Sequence, residues 1–166
     1  MKNDLDLYKA CKDILTASGD LIEDLKKKKF RVIRKSPKEL VTEIDMAVQK
    51  YIAQAVSTIS DSPIFFEEDK ANNKNKLPSE CFIVDPIDAT HNFIAGLPFY
   101  NISIGYVKDN KILFGIIYFP YSKDMYHAFQ NKGSYKNIDK LVVSDNTSIE
   151  KSIVAYDNQF HLDKDI

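Results

Sequence analysis

Two carboxylates and a hydroxyl fall close together in Asp85-Pro86-Ile87-Asp88-Ala89-Thr90. The stretch leaves an apolar run, Cys81 to Val84, with the character of a buried strand. Proline at 86 fixes its own φ and pushes Asp85 toward an extended backbone. The strand is therefore predicted to end at Asp85, with Asp88 turned back toward it. Two carboxylates so placed repel each other unless a cation lies between them, and hard oxygen ligands on a stiff loop suit Mg²⁺. The plainer alternative is a strand end and a turn in which Asp88 caps the next helix. Asp-x-x-Asp alone leaves both open. Other acidic groups sit where strands or helices begin or end: Glu67 with Glu68 after Ile64-Phe65-Phe66, and Asp45 at the head of a helix. Strand ends on one edge of a sheet lie near each other, and a cluster of carboxylates without cations would be strongly self-repelling. A metal held there would polarise a phosphoryl oxygen and activate a water. The N–H groups of Ala89 and Thr90, in the first turn of a helix, would suit a phosphate anion.

The elements that must place these groups can be read from periodicity. Residues from about 4 to 29 carry Leu7, Cys11, Ile14, Leu21 and Leu25 at near-helical spacing, with Ser18 in the same stripe. Gly19 is the weak point of that helix, costing about 1 kcal/mol against alanine. A short strand is predicted near 30–34, then a loop, then a second helix capped near Thr42 or Asp45 that buries Val48, Tyr51, Ile52, Ala55 and Val56. Residues 70–80 are polar and aperiodic, an exposed loop. From Ile102 onward the pattern is an antiparallel meander, with a hairpin turn at Lys108-Asp109-Asn110-Lys111 and short strands at 133–135, 141–143 and from 153.

The chain has 166 residues and a net charge of −1, enough for one core and too balanced for a general nucleic-acid or membrane-surface binder. Residues 1–166 read as a single domain without repeats. The run Lys26-Lys27-Lys28-Lys29 is read as a solvated helix end. Cys11 and Cys81 have no ligand-like spacing and are expected to be buried thiols, which fits a reducing cytoplasm. No secretory signal and no apolar run of membrane-spanning length is seen. His91, His127 and His161 share no ligand spacing and are read as structural.

Asp85-Pro86-Ile87-Asp88-Ala89-Thr90-His91-Asn92-Phe93 resembles the Asp-Pro-Ile-Asp-Gly-Thr-x-Asn-Phe signature of the inositol monophosphatase family. These are Mg²⁺-dependent, lithium-sensitive phosphatases that include the bacterial extragenic-suppressor proteins. Leu40-Val41-Thr42-Glu43-Ile44-Asp45, Phe66-Glu67-Glu68, Asn101 to Tyr106, Gly115 to Tyr118 and Gly133 to Asn137 are similar to further family segments, in order. The resemblance implies an α+β fold, helices layered on an antiparallel sheet, of which this chain is the N-terminal part. It implies hydrolysis of a small phosphomonoester, myo-inositol 1-phosphate above all, with Mg²⁺ as cofactor. Glu67, Asp85, the carbonyl of Ile87 and Asp88 would hold the metal. Thr90, hydrogen-bonded to Asp45, would orient the attacking water with Glu67 as general base. Ala89 and Thr90 would bind the phosphate, with Lys35 nearby, and Glu68 would assist a weaker metal.

Two departures stand out. Ala89 replaces the family's glycine, which strains the chain if φ there is positive. The family also continues to a Trp-Asp-x-Ala-Ala-Gly motif whose aspartate is a further ligand, and this sequence has no tryptophan. The expected partners are therefore a small phosphorylated substrate and either a second copy or a second polypeptide that completes the fold, with no membrane or nucleic acid. An uncovered apolar sheet face would favour self-association. Open alternatives are a catalytically impaired homologue that binds proteins, or a related phosphatase for 3′-phosphonucleotides or fructose 1,6-bisphosphate.

Overall fold

The computed structural model describes residues 3–34, 40–67 and 77–154. Its first helix, α1 (Asp4–Leu25), opens at Asn3, whose side chain accepts from the Asp6 N–H at 2.9 Å. Leu7, Cys11, Ile14, Leu15, Ser18, Gly19 and Ile22 form its buried stripe. The Ser18 hydroxyl satisfies itself on the Ile14 carbonyl at 2.8 Å, the usual solution for a buried hydroxyl within a helix. The helix stops four residues earlier than the spacing predicts. Phe30 has to leave the helix axis to stack on Phe93, ring centroids 5.6 Å apart, and the lysines between offer no apolar surface to bury. Gly19 is no weak point. A Cβ built there would lie 2.5 Å from the Tyr118 ring and 3.3 Å from Pro120, so glycine lets the helix lie directly on the sheet.

Short strands β1 (Val32–Arg34) and β2 (Leu40–Thr42) pair antiparallel. Helix α2 (Glu43–Ser57) follows at once. Thr42 is its cap and Asp45 closes a capping box, so both residues foreseen as caps take part. Seven further strands make one sheet in chain order: β3 (Ile64–Phe66), β4 (Cys81–Asp88), β5 (Asn101–Lys108), β6 (Lys111–Phe119), β7 (Asp124–Phe129), β8 (Gly133–Lys136) and β9 (Asp139–Lys140). The sheet is not wholly antiparallel, because β3 runs parallel to β4. A five-residue helix, α3 (Thr90–Ile94), sits between β4 and β5. The β5–β6 turn has Asp109 and Asn110 both at positive φ, as a two-residue hairpin on twisted strands requires.

Both long helices lie on the same face, α1 over β5 and β6 and α2 over β4. Phe82, Val84, Ile102, Ile104, Tyr106, Phe114, Ile116 and Tyr118 point into that layer and are nearly inaccessible. Alternate residues point away from it, among them Ile83 and Ile117, which remain exposed. Leu141, Val142 and Val143, expected as a strand, lie outside any strand and are exposed. Leu141 donates once, to Ser134 O, and among the described residues nothing continues the pairing beyond β9. Ile153 and Val154 are likewise outside any strand, while 155 and 156 lie outside the described residues. Cys11 and Cys81 are buried free thiols, and burial pushes Cys11 up to about 12. Among the described residues no helix is long and apolar enough to cross a membrane.

Candidate active site

The two carboxylates of Asp85 and Asp88 are brought together by an irregularity in β4. Its register against β5 runs Val84 to Ile104 and Asp85 to Ser103, then resumes at Asp88 opposite Asn101. Three steps along β4 therefore match two along β5, a one-residue bulge. In a regular strand, residues three apart face opposite sides of the sheet. The extra residue reverses that alternation. Asp85 and Asp88 both point away from the helices, while Pro86 and Ile87 are both buried. Proline is suited to the place, since it has no N–H to give to a ladder. The strand thus does not end at Asp85 as expected; it continues through Asp88, bulged. The Asp85 carboxylate accepts from the Ile87 N–H at 3.1 Å, bridging the proline.

Beyond the bulge the backbone turns sharply. Ala89 has φ 63° and ψ 48°, the left-handed conformation, and immediately precedes α3. Alanine here carries strain that a glycine would avoid. The turn folds Thr90 back so that its hydroxyl donates to the Ile87 carbonyl at 3.0 Å. This corrects one expectation. Among the described residues Thr90 does not donate to Asp45. The hydroxyl has one proton to give, and the Ile87 carbonyl is the acceptor the turn presents. Asp45 is buried in its capping box, where Oδ2 accepts from the Thr42 N–H at 2.8 Å and from the Thr42 hydroxyl.

Glu67 follows β3. Because β3 and β4 are parallel, with Phe66 opposite Val84, their C-terminal ends emerge side by side, and the Glu67 N–H reaches the Val84 carbonyl at 3.0 Å. The electrostatics record the gathering. Burial, then the Glu67 carboxylate, then Asp88, push Asp85 up to about 7, with a smaller push from Asp45 and opposition from the Ile87 N–H. Three other carboxylates are thus within electrostatic reach of Asp85. Lys35, Glu68 and Asp69 lie outside the described residues.

The donors suit a hard divalent cation: three carboxylates and a carbonyl that keeps a second lone pair beside its bond to Thr90. Among the described residues, no three His, Cys, Asp or Glu side chains are already drawn into a coordination cluster, and mutually repelling anions would not close up unaided. The histidines lie apart from this chemistry. His91 is exposed on α3. His127 is buried, with Nδ1 bonded to the Tyr8 hydroxyl and Nε2 to the Asn137 carbonyl at 2.9 Å. His161 lies outside the described residues. One residue that the pattern did not single out stands at the site, Asn101, whose amide reaches Asp88.

The family model of the inositol monophosphatase family matches residues 4–166. The chain belongs to that family. Inositol monophosphatase 1 of Bos taurus is 34% identical over 142 residues, covering 83% of this chain and 51% of that protein. Inositol-1-monophosphatase of Bacillus subtilis is 33% identical over 123 residues, covering 74% and 46%. Among solved structures, the extragenic suppressor protein suhB of Bartonella henselae superposes with TM-score 0.77 at 25% identity, over 85% of this chain and 55% of that one. A Thermotoga maritima inositol monophosphatase superposes with TM-score 0.76 at 29% identity, over 90% and 57%. The α+β fold is that of this family. The chain spans about half the length of the curated relatives it matches.

Proposed function

We propose that residues 1–166 act as one inositol monophosphatase-like domain in the Mg²⁺-dependent hydrolysis of a small phosphomonoester, myo-inositol 1-phosphate. The bulge that turns Asp85 and Asp88 to one face of the sheet, beside Glu67, carries this reading. Glu67, Asp85, Asp88 and the Ile87 carbonyl would hold the metal. When bound, Mg²⁺ supplies charge for the phosphoryl oxygens and acidifies water. Glu67 takes the proton of the attacking water. The Thr90 hydroxyl, beside the Ile87 carbonyl, and Asp45, fixed in its cap, would orient that water. Successive N–H groups at Ala89 and Thr90, in left-handed and then right-handed conformation, form a concave pair of donors for the phosphate, and Lys35 adds positive charge. Reduced, buried Cys11 and Cys81 suit a cytoplasmic setting.

The sheet face that the helices leave open supports a further part of the reading. A second copy or a second polypeptide would cover Ile83 and Ile117 and wall the site beside Asp85. The same face, with the strained Ala89, favours a second reading: an impaired homologue that works by binding protein. The test is Mg²⁺-dependent phosphate release from inositol 1-phosphate by the chain and by Asp88→Asn. Activity that the variant loses supports the hydrolase. Folded protein with no activity above the variant removes that reading for the chain alone and leaves the binding one.

A further inference from the structure

Asn101 opens β5 with an Nδ2 that donates to Asp88 Oδ2 at 2.8 Å. The assignment of the amide follows from chemistry, since an ionised carboxylate accepts only and the NH₂ end must face it. The bulge explains why the two meet. By moving Asp88 to the open side of the sheet it sets the carboxylate directly opposite Asn101 in the β4–β5 register. Asparagine is disfavoured in strands, and here it stands where a packing residue would do if only pairing mattered.

The backbone that carries Asn101 is unusually well fixed for a strand end. Tyr100 before it is 1% exposed and its hydroxyl donates to Glu23 and accepts from Lys26 at 3.1 Å, both on the α1 side. Ile102 after it is fully buried. The preceding loop is closed by Asn92 Nδ2 on the Phe99 carbonyl at 2.8 Å. Asp88 itself is exposed, and among the described residues Asn101 is its recorded side-chain partner. Without that bond the carboxylate would rotate freely on the surface. With it, one oxygen is occupied and the other is turned in a fixed direction, on the face shared with Asp85.

We propose that Asn101 is a positioning residue that holds the Asp88 carboxylate in one rotamer for a divalent cation. This rests on the metal-site reading above. Partners of this kind, bonded to a ligand rather than to the metal, commonly change metal affinity by about 10–100-fold. The exposed setting of this bond places the expectation at the lower end, about tenfold.

The test reads cation binding without substrate: calorimetric titration of Mg²⁺ into the chain, Asn101→Ala, Asn101→Leu, Asp88→Asn and the double variant Asn101→Ala/Asp88→Asn, each first checked by circular dichroism and melting. Both Asn101 variants should bind about tenfold more weakly than the parent while melting normally. Leucine keeps the branched shape of asparagine and adds bulk where alanine removes it, so equal losses for both exclude a packing effect. In the Asp88→Asn background, removing the Asn101 amide should cost nothing further. Unchanged Mg²⁺ affinity in the Asn101 variants, or a full loss on top of Asp88→Asn, overturns the positioning role and leaves the metal site standing. A parent chain indistinguishable from Asp88→Asn overturns the metal site, and this inference with it.

Discussion

Replacing Ala89 by glycine should stabilise this protein, contrary to the usual result of removing a methyl group. At φ 63° and ψ 48° the Ala89 Cβ crowds the following carbonyl, a cost of about 1–2 kcal/mol for an L-residue. Glycine escapes it but gives up about 0.4–1 kcal/mol through the greater freedom of the unfolded chain. Ala89 is only half-buried, so little packing is lost. The balance is a gain of about 0.5–1 kcal/mol. For a domain of this size that corresponds to a melting point about 1–4 °C higher. Differential scanning calorimetry of Ala89→Gly against the parent, at matched concentration and without divalent cations, resolves such a shift. Urea titrations should move the midpoint upward with an unchanged slope. A variant that melts at or below the parent would refute the claim that alanine is strained there. The same change removes a methyl group from the place assigned to the phosphate, so phosphate release should not fall.

Gly19→Ala should destabilise despite the better helix propensity of alanine. The new Cβ at 2.5 Å from the Tyr118 ring forces α1 off the sheet, at a cost of about 1–3 kcal/mol that urea unfolding would read. His127 gives a pH dependence. Burial, followed by the nearby Lys12, holds its pKa below the ordinary value, against the Asn137 carbonyl, which favours the charged ring. The unfolded chain therefore takes up the proton first as pH falls. The stability that neutral His127 contributes is complete above the ordinary imidazole value and is lost on descending through it toward the folded pKa. Tyr8, Lys12 and Tyr135 surround the ring. Melting curves from pH 8 to 5 should show a steeper fall for the parent than for His127→Gln, and parallel curves would refute the assignment.

The long helices were legible because apolar spacing and caps are local. Leu7, Cys11 and Ile14, or Thr42 and Asp45, announce themselves without reference to the rest of the chain. Where a distant partner decides, the sequence falls short. The end of α1 at Leu25 is set by Phe30 stacking on Phe93, and the role of Gly19 by a tyrosine on β6. Val142 and Val143 have strand-forming side chains but no neighbouring strand to pair with among the described residues. The site divides in the same way. Glu67, Asp85 and Asp88 could be named from their positions at the ends of apolar runs and from family resemblance. That Asp85 and Asp88 share a face could not, because a bulge is a relation between two strands and only β5 reveals it. Asn101 was silent for the same reason. The Thr90 hydroxyl went to the Ile87 carbonyl because a left-handed residue at 89 closes the turn more tightly than an extended strand end would.

The bulge makes residue number, rather than residue identity, the quantity that must be preserved between Asp85 and Asp88. Exchanging Ile87 for another apolar residue keeps the count and leaves both acids on the same side. Inserting one residue there, with the one-residue bulge kept, sets the acids an odd number of ladder steps apart and swings the second acid under α2, into the layer built by Val84 and Ile104. An unpaired carboxylate in that layer is costly to bury. Within this short interval the chain works like a ratchet with two settings: one tooth more, and a surface anion becomes a fault in the core.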